Sequence, residues 1–403
     1  MKFSLFSRNK KGEVVIVYDI GSASVGAALV LLGKDEKPKI LYSVRKNMTF
    51  QERLDFTRFT KSMTETVKQV SSDLQKNGLS HLKFTKFGTI SPEKIYCTLA
   101  SPWYASQTRI VRVKEEKPFL ITKEKIKSLV EKEVKDFIDV AKNDKRIGGG
   151  QTKIIEQRVM QTKLNGYDTS EPFDKRAKAL ELSAIISVAQ RDILNDITDA
   201  IHSVFLTPRI EFNSFSYVAF DSIRDIKPNA NKFLFLDISG ELTDVSLVRD
   251  GVILETGSFP MGKNSILRDV KMDISSSEGE ALSLIQMYHK NTLEKVQREK
   301  MKKVFLQIEK KWISLFRDSL LKLSDTLSIP STVFFTSDEN MEDVFSDLIR
   351  KEEFGQFTMT DDVFSVGSVN TAFLTNFVKF SKNAERDPFL TLGALFADKV
   401  HNG

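Results

Sequence analysis

Cysteine is nearly missing from this sequence: Cys97 is the single thiol in 403 residues. One thiol forbids an intrachain disulfide and any multi-cysteine zinc or iron–sulfur site, and it fits a reducing compartment. Histidine is almost as sparse. His81, His202, His289 and His401 lie far apart, so no local metal motif exists. Long hydrophobic runs are also missing. The longest near the start, Val25 to Leu32, has eight residues, well short of the ~20 that a bilayer span needs. The basic start, Met1-Lys2-Phe3-Ser4-Leu5-Phe6-Ser7-Arg8, has too short an apolar stretch for a signal peptide. It reads as a solvated terminus, with weak contact to an anionic membrane surface as the alternative. Charge of one sign is hardly in excess: 60 Lys+Arg against 54 Asp+Glu leave +6, spread along the chain. That balance gives no argument for nucleic-acid binding.

What is present is core material. Apolar residues make up 41% of the chain and include 30 Phe, a globular profile whose length suggests two or three domains. Two segments resemble each other. Val14 to Val30 and Phe233 to Val248 each read as a β-rich run, an Asp at its end (Asp19, Asp237), a turn of small residues, and a second β-rich run. They lie about 218 residues apart and suggest two related lobes facing each other. The second continues through the turn Arg249-Asp250-Gly251 into a third strand from Val252.

The stretch between them reads as an insertion. Strands are expected at Lys94 to Leu99 and Thr108 to Val113, and a helix from Thr122 to Ala141 with Thr122 as N-cap. Gly148-Gly149-Gly150 breaks the chain, two strands follow (153–163 and 179–188), and a helix runs from Arg191 to Phe205. Beyond residue 260 the pattern is mostly helical, with Glu278 to Leu327 as one charged amphipathic stretch. Its Lys/Arg run reads as a solvated face. A short buried strand, Val333 to Thr336, precedes a helix from Met341 to Arg350, and a last helix opens at Phe389.

An Asp at a strand end followed by Gly and Ser has a use. Turn N–H groups can bind phosphate oxygens while the carboxylate holds Mg²⁺ directly or through water. The bland alternative is that Asp19 and Asp237 terminate strands and satisfy their own turns. Ser101, Ser106 and Cys97 have no nearby His, so acyl transfer has no support. Trp103 and Tyr104 after Pro102 read as core, or as an exposed partner contact.

On these residues the chain resembles the actin-like ATPase superfamily, and within it the FtsA and PilM proteins. Asp19-Ile20-Gly21-Ser22-Ala23-Ser24 is similar to the first phosphate motif, and Asp237-Ile238-Ser239-Gly240-Glu241-Leu242-Thr243-Asp244 to the second. The likeness continues through Phe259-Pro260-Met261-Gly262-Lys263, Ser277-Glu278-Gly279-Glu280-Ala281 and Leu392-Gly393-Ala394-Leu395. It implies an α/β fold of duplicated actin-like (ribonuclease H-like) lobes with a small inserted strand-helix-strand-strand domain of SHS2 type. The implied boundaries are 1–92, 93–205 and 206–403. It implies ATP contacts at Asp19, Gly21, Ser22, Ser24, Asp237, Gly240, Thr243, Asp244, Gly262, Thr336 and Ser337, with Asp19 and Asp237 toward Mg²⁺. No residue is given a catalytic role.

Three positions depart from the family pattern. Glu241 and Leu242 stand where small residues let phosphate approach, and a carboxylate there repels it unless it points away. The adenosine turn reads Thr336-Ser337-Asp338-Glu339-Asn340, without glycine. Ser283 occupies the position of the nucleotide-facing lysine. The expectation is a fold kept with hydrolysis lost and nucleotide binding left open.

The resemblance then implies a cytoplasmic scaffold at a membrane-bound machine, touching the membrane through a partner. In the PilM type that partner is the cytoplasmic tail of a pilus assembly protein. In the FtsA type it is the division tubulin homologue. The chain's end at Gly403, without a further amphipathic helix, favours the PilM type, and the stretch Met261 to Ala281 favours the other. A small-molecule kinase on the same fold is a third reading. Head-to-tail filaments stay open.

Overall fold

The first strands are apolar at nearly every position, the pattern of a sheet covered on both faces, and they are buried along almost their whole length. The computed structural model describes residues 12–34, 36–82, 92–142, 151–206, 209–324, 328–358 and 363–402. The basic start and Gly148-Gly149-Gly150 lie outside them.

In chain order the first elements are β1 (Glu13–Ile20), β2 (Ser24–Gly33), β3 (Glu36–Asn47), α1 (Phe56–Asp73), α2 (Ser80–Leu82), β4 (Lys94–Leu99) and β5 (Ala105–Leu120). Next come α3 (Lys123–Lys142), β6 (Thr152–Leu164), β7 (Tyr167–Asp168), β8 (Arg176–Gln190), α4 (Arg191–His202), β9 (Arg209–Ser214) and α5 (Phe215–Ile226). The second half holds β10 (Lys232–Ile238), β11 (Thr243–Arg249), β12 (Val252–Phe259), α6 (Lys263–Ile274), α7 (Glu278–His289) and α8 (Lys295–Ser324). It closes with β13 (Thr332–Thr336), α9 (Glu342–Ile349), β14 (Ser365–Ser368), α10 (Thr371–Leu374), β15 (Lys379–Phe380) and α11 (Pro388–Asn402).

The strands form three sheets, in the orders β15-β3-β2-β1-β4-β9, β12-β11-β10-β13-β14 and β5-β8-β6-β7. The first two repeat one plan: an antiparallel three-strand meander whose first strand pairs in parallel with a later one, β1 with β4 and β10 with β13. The duplicated α/β lobes expected from the sequence are therefore present. In the second meander, Asp250 and Gly251 both take positive φ (52° and 72°), the hairpin geometry those two residues favour.

Between the two sheets run α5 and α11, packed on each other. Their residues Phe215, Phe220, Leu392 and Phe396 share one apolar core with Val15 and Val17 of β1 and with Phe233 and Phe235 of β10. Asp387 starts α11: its Oδ1 accepts from Leu390 N at 2.9 Å, with Pro388 at the position where a missing N–H costs least. A second core lies under α6 to α9 around Trp312 and Phe316. A third joins α1 and α4 to the first sheet.

The expected insertion, 93–205, includes two elements that belong elsewhere. β4 pairs with β1 and β9, and α4 packs in the α1 core. The separate sheet is β5 to β8, with α3 on one face through Val130, Val134 and Phe137. Thr122 caps α3 as expected, accepting from Lys125 N at 3.1 Å. This sheet also touches the second lobe, where Thr108 Oγ1 donates to Ile253 O at 2.6 Å. The described part of the charged stretch expected over 278–327 holds two helices, α7 and α8. Asn291 adopts φ 56°, a left-handed stop that Asn tolerates better than most residues.

Candidate functional site

Because β1 and β10 both lie at the centre of their sheets, their C-terminal Asp residues and turns meet across the gap between the lobes. Asp19, Gly21, Ser22, Ser24, Asp237 and Gly240 all line this gap, together with Arg45, Asp338 and Phe389. These six of the sequence-selected residues share one gap.

The first turn is held by its own hydrogen bonds. Gly21 N donates to Ser24 O at 3.0 Å, and Gly21 O accepts from Trp103 Nε1 at 2.8 Å. Trp103 is buried and stacked on Phe59 at 4.8 Å, so it is core and a brace for the turn. The Asp19 carboxylate faces a cation from β3. Arg45 Nη2 donates to Asp19 Oδ2 at 2.8 Å, its Nε to Asp387 Oδ2 at 2.5 Å, and its Nη1 to Ser24 Oγ at 2.9 Å. A guanidinium fork suits two carboxylates. Burial pushes Asp19 up to about 6 despite the opposing pull of Arg45.

In the second turn, Asp237 Oδ1 accepts from Thr336 Oγ1 at 3.0 Å. Burial, with Asp244 and Asp19 nearby, holds its pKa well above the ordinary carboxylate range. Asp244 stands directly across the β10–β11 pair from Asp237. Burial pushes it up to about 7, against hydrogen bonds from Ser101. Thr243 Oγ1 is used structurally, donating to Met261 O at 2.7 Å. Gly262, before α6, is packed against the turn: a Cβ there would stand 2.3 Å from Ser239 O. Ser337 lies beside the gap in a cavity of about 210 Å³ that Arg45 also lines. Thr243, Asp244, Gly262 and Thr336 are thus near the gap without lining it.

The two turns touch. Ser22 Oγ lies 2.5 Å from Ser239 Oγ and accepts from Glu241 N at 2.9 Å. A Cβ on Gly240 would stand 2.3 Å from the Cβ of Ala23, closer than any real carbon contact. The first N–H groups of α6, which could otherwise hold an anion, donate back to the turn: Lys263 N to Ser239 O at 3.1 Å and Asn264 N to Gly240 O at 2.7 Å. The remaining cavity between the turns is about 20 Å³, enough for roughly one water. Ligand sites usually offer about 300–1,000 Å³.

The departing residues have partners too. Glu241 points away from the gap to Arg268, which binds both its oxygens, and accepts from Asn264 Nδ2 at 2.9 Å. Asp338, after β13, pairs with Lys263 Nζ at 2.6 Å. Ser283 Oγ bonds its own helix at Gly279 O, 2.9 Å away. Among the described residues no cluster of three or more His, Cys, Asp or Glu could hold a metal ion.

Sequence reasoning missed Arg45, Asp387 and Arg268, and read Trp103 as core without its bond to the turn. Asp387-Pro388 carried a helix-start signal. Arg45, one of several charges along β3, carried none.

Set beside solved structures, the chain is similar to a PilM-PilN type IV pilus biogenesis complex, with TM-score 0.57, 13% identity and 96% of each chain covered. This is the actin-like ATPase fold. An ethanolamine utilization protein EutJ from Carboxydothermus hydrogenoformans (TM-score 0.42, 11% identity, 96% of this chain and 89% of that one) is more distant. So is a protein of actin-like ATPase fold from Bacteroides thetaiotaomicron (TM-score 0.39, 11% identity, 98% and 99%). No family model and no curated protein matches the sequence. In this fold the two Asp-bearing turns occupy equivalent places in the two lobes, and here they are in contact with each other.

Proposed function

We propose that this protein is an actin-like adaptor with a degenerate nucleotide site, a PilM-like platform that docks the short cytoplasmic tail of a membrane protein in a type IV pilus assembly. The observation that carries the degenerate site is the direct contact of the two turns, with Arg45 on Asp19. The partner class rests on the full-length likeness to the PilM–PilN complex. Among the described residues no helix is long and apolar enough to cross a membrane. The platform works at the cytoplasmic face, held there by its partner.

In this reading the tail binds beside the inserted sheet, along β9. β9 ends the first sheet and, among the described residues, pairs only with β4. An open strand edge takes an extended peptide by main-chain hydrogen bonds. Arg158 of β6 borders this edge, with Nη2 3.3 Å from both Glu211 Oε1 and Asn213 Oδ1.

Affinity capture with the tagged full chain from solubilised membranes tests the reading. Recovery of a single-span protein, bound through its cytoplasmic tail and weakened by Arg158→Ala, is expected. Recovery of a tubulin-like filament protein instead would overturn it in favour of a division adaptor.

A further inference from the structure

Away from the turns, an open groove of about 1220 Å³ lies between α1 of the first lobe and α6 of the second. Contacts between the lobes build its floor. Arg268 Nη1 donates to Gln51 O at 3.2 Å, and Lys271 Nζ lies 3.4 Å from Glu52 Oε1. The Phe50 ring sits beneath both cations, at 5.8 and 4.8 Å, and packs against the second-lobe core. With the turns also in contact, the two walls hold their spacing without a ligand. A groove already formed saves the ordering cost that binding otherwise meets.

Size and charge narrow the occupant. The volume exceeds the usual small-molecule range of about 300–1,000 Å³, and walls drawn from two helices offer a seat for a third. Arg53, Arg58, Lys61, Arg268 and Lys271 outnumber Glu52, Glu65 and Asp269 along it. The side chains of Arg58 and Lys61 are 71% and 76% exposed, with only Asp55 at 3.7 Å and Glu65 at 4.0 Å as acidic partners among the described residues, so those pairs are weak and open to exchange. On the facing wall Met272 is 74% exposed, an adaptable apolar contact. We propose that the α1–α6 groove is a docking site for an amphipathic helix of a partner protein, its acidic side chains meeting Arg53, Arg58 and Lys61 and its apolar face covering Met272.

The test titrates the full-length protein, by fluorescence anisotropy, with three labelled synthetic helices of about five turns (~18 residues). One has an acidic polar face, one a Lys polar face, and one is the acidic peptide scrambled to lose its apolar stripe. Saturable binding of the acidic amphipathic helix, about tenfold or more tighter than the other two, is expected. The double variant Arg58→Glu, Lys61→Glu should lose that helix and gain the Lys one. Met272→Asp should weaken it independently, and keeps the test usable should the double variant misfold. Equal binding of all three peptides, no saturation by any, or variants that bind like the parent would overturn the proposal. Sedimentation velocity supplies a further check: a dimer that forms with concentration and is lost in the double variant would assign the groove to a second copy and overturn the partner assignment.

Discussion

Arg45→Ala removes the cation that two buried carboxylates share. The side chains of Asp19 and Asp387 are 4% and 11% exposed, so water cannot replace the guanidinium. Removing one partner of a buried pair costs about 3–5 kcal/mol. For a unit the size of one lobe that is a fall in Tm of roughly 6–20 °C. The loss should depend on pH, and its sign follows from protonation. Even with Arg45 present, burial raises Asp19 to about 6, against about 3.9 in an unfolded chain. Without Arg45 the folded value climbs further. Below about pH 4 both states carry the proton and the charge penalty vanishes; as pH rises the unfolded chain ionises freely while the folded site resists. The deficit of Arg45→Ala against the parent should be small at pH 4 and reach its full size by pH 8. Thermal melts of both proteins across that range measure it. Arg45→Lys, which keeps charge and loses the fork, should fall between. An equal deficit at pH 4 and pH 8 would refute the electrostatic reasoning and assign the loss to packing.

Three further outcomes follow from the same geometry. Gly240→Ala places a Cβ against Ala23, so the turns have to part; a cost of about 1–3 kcal/mol is expected, with faster amide exchange in both turns, and unchanged exchange would contradict the contact. Ser22→Ala strips Glu241 N of its acceptor and Ser239 of its partner, a loss of about 1–3 kcal/mol, measurable by thermal melting; an unchanged Tm would count against it. Glu156 has a fully covered side chain that accepts from Ser187 at 3.0 Å and Ser214 at 2.5 Å, and burial raises it to about 7. Its charge therefore lowers stability progressively from about pH 4.3 upward, by up to about 3–4 kcal/mol above pH 7. Glu156→Gln should match the parent near pH 4 and exceed it at pH 8; equal stability at both would contradict that sign.

Much of the fold was legible because the duplicated element is local. A β-run, an Asp, small turn residues and another β-run lie within about twenty consecutive positions, and both copies fold as that order implies. The helix start at Thr122 was legible for the same reason, its cap being a three-residue pattern. The boundaries of the insertion were not. Lys94 to Leu99 reads as a strand, but only its pairing with β1, across about 80 residues, assigns it to the first sheet. The turn residues were identifiable and their partners were not. Arg45 meets Asp387 across 342 positions and Ser22 meets Ser239 across 217, distances at which no periodic pattern carries information. The sequence did mark Glu241, and the glycine-free stretch that holds Asp338, as departures from the family pattern. It could not show that Arg268 and Lys263 neutralise them.

The most direct measurement is a titration of the purified chain with labelled ATP in the presence of Mg²⁺, followed for both binding and phosphate release. With the two turns bound to each other and Arg45 on Asp19, no saturable binding in the micromolar range and no steady turnover are expected. Micromolar affinity with sustained hydrolysis would contradict the account, since it would require the turns to open around a phosphate chain.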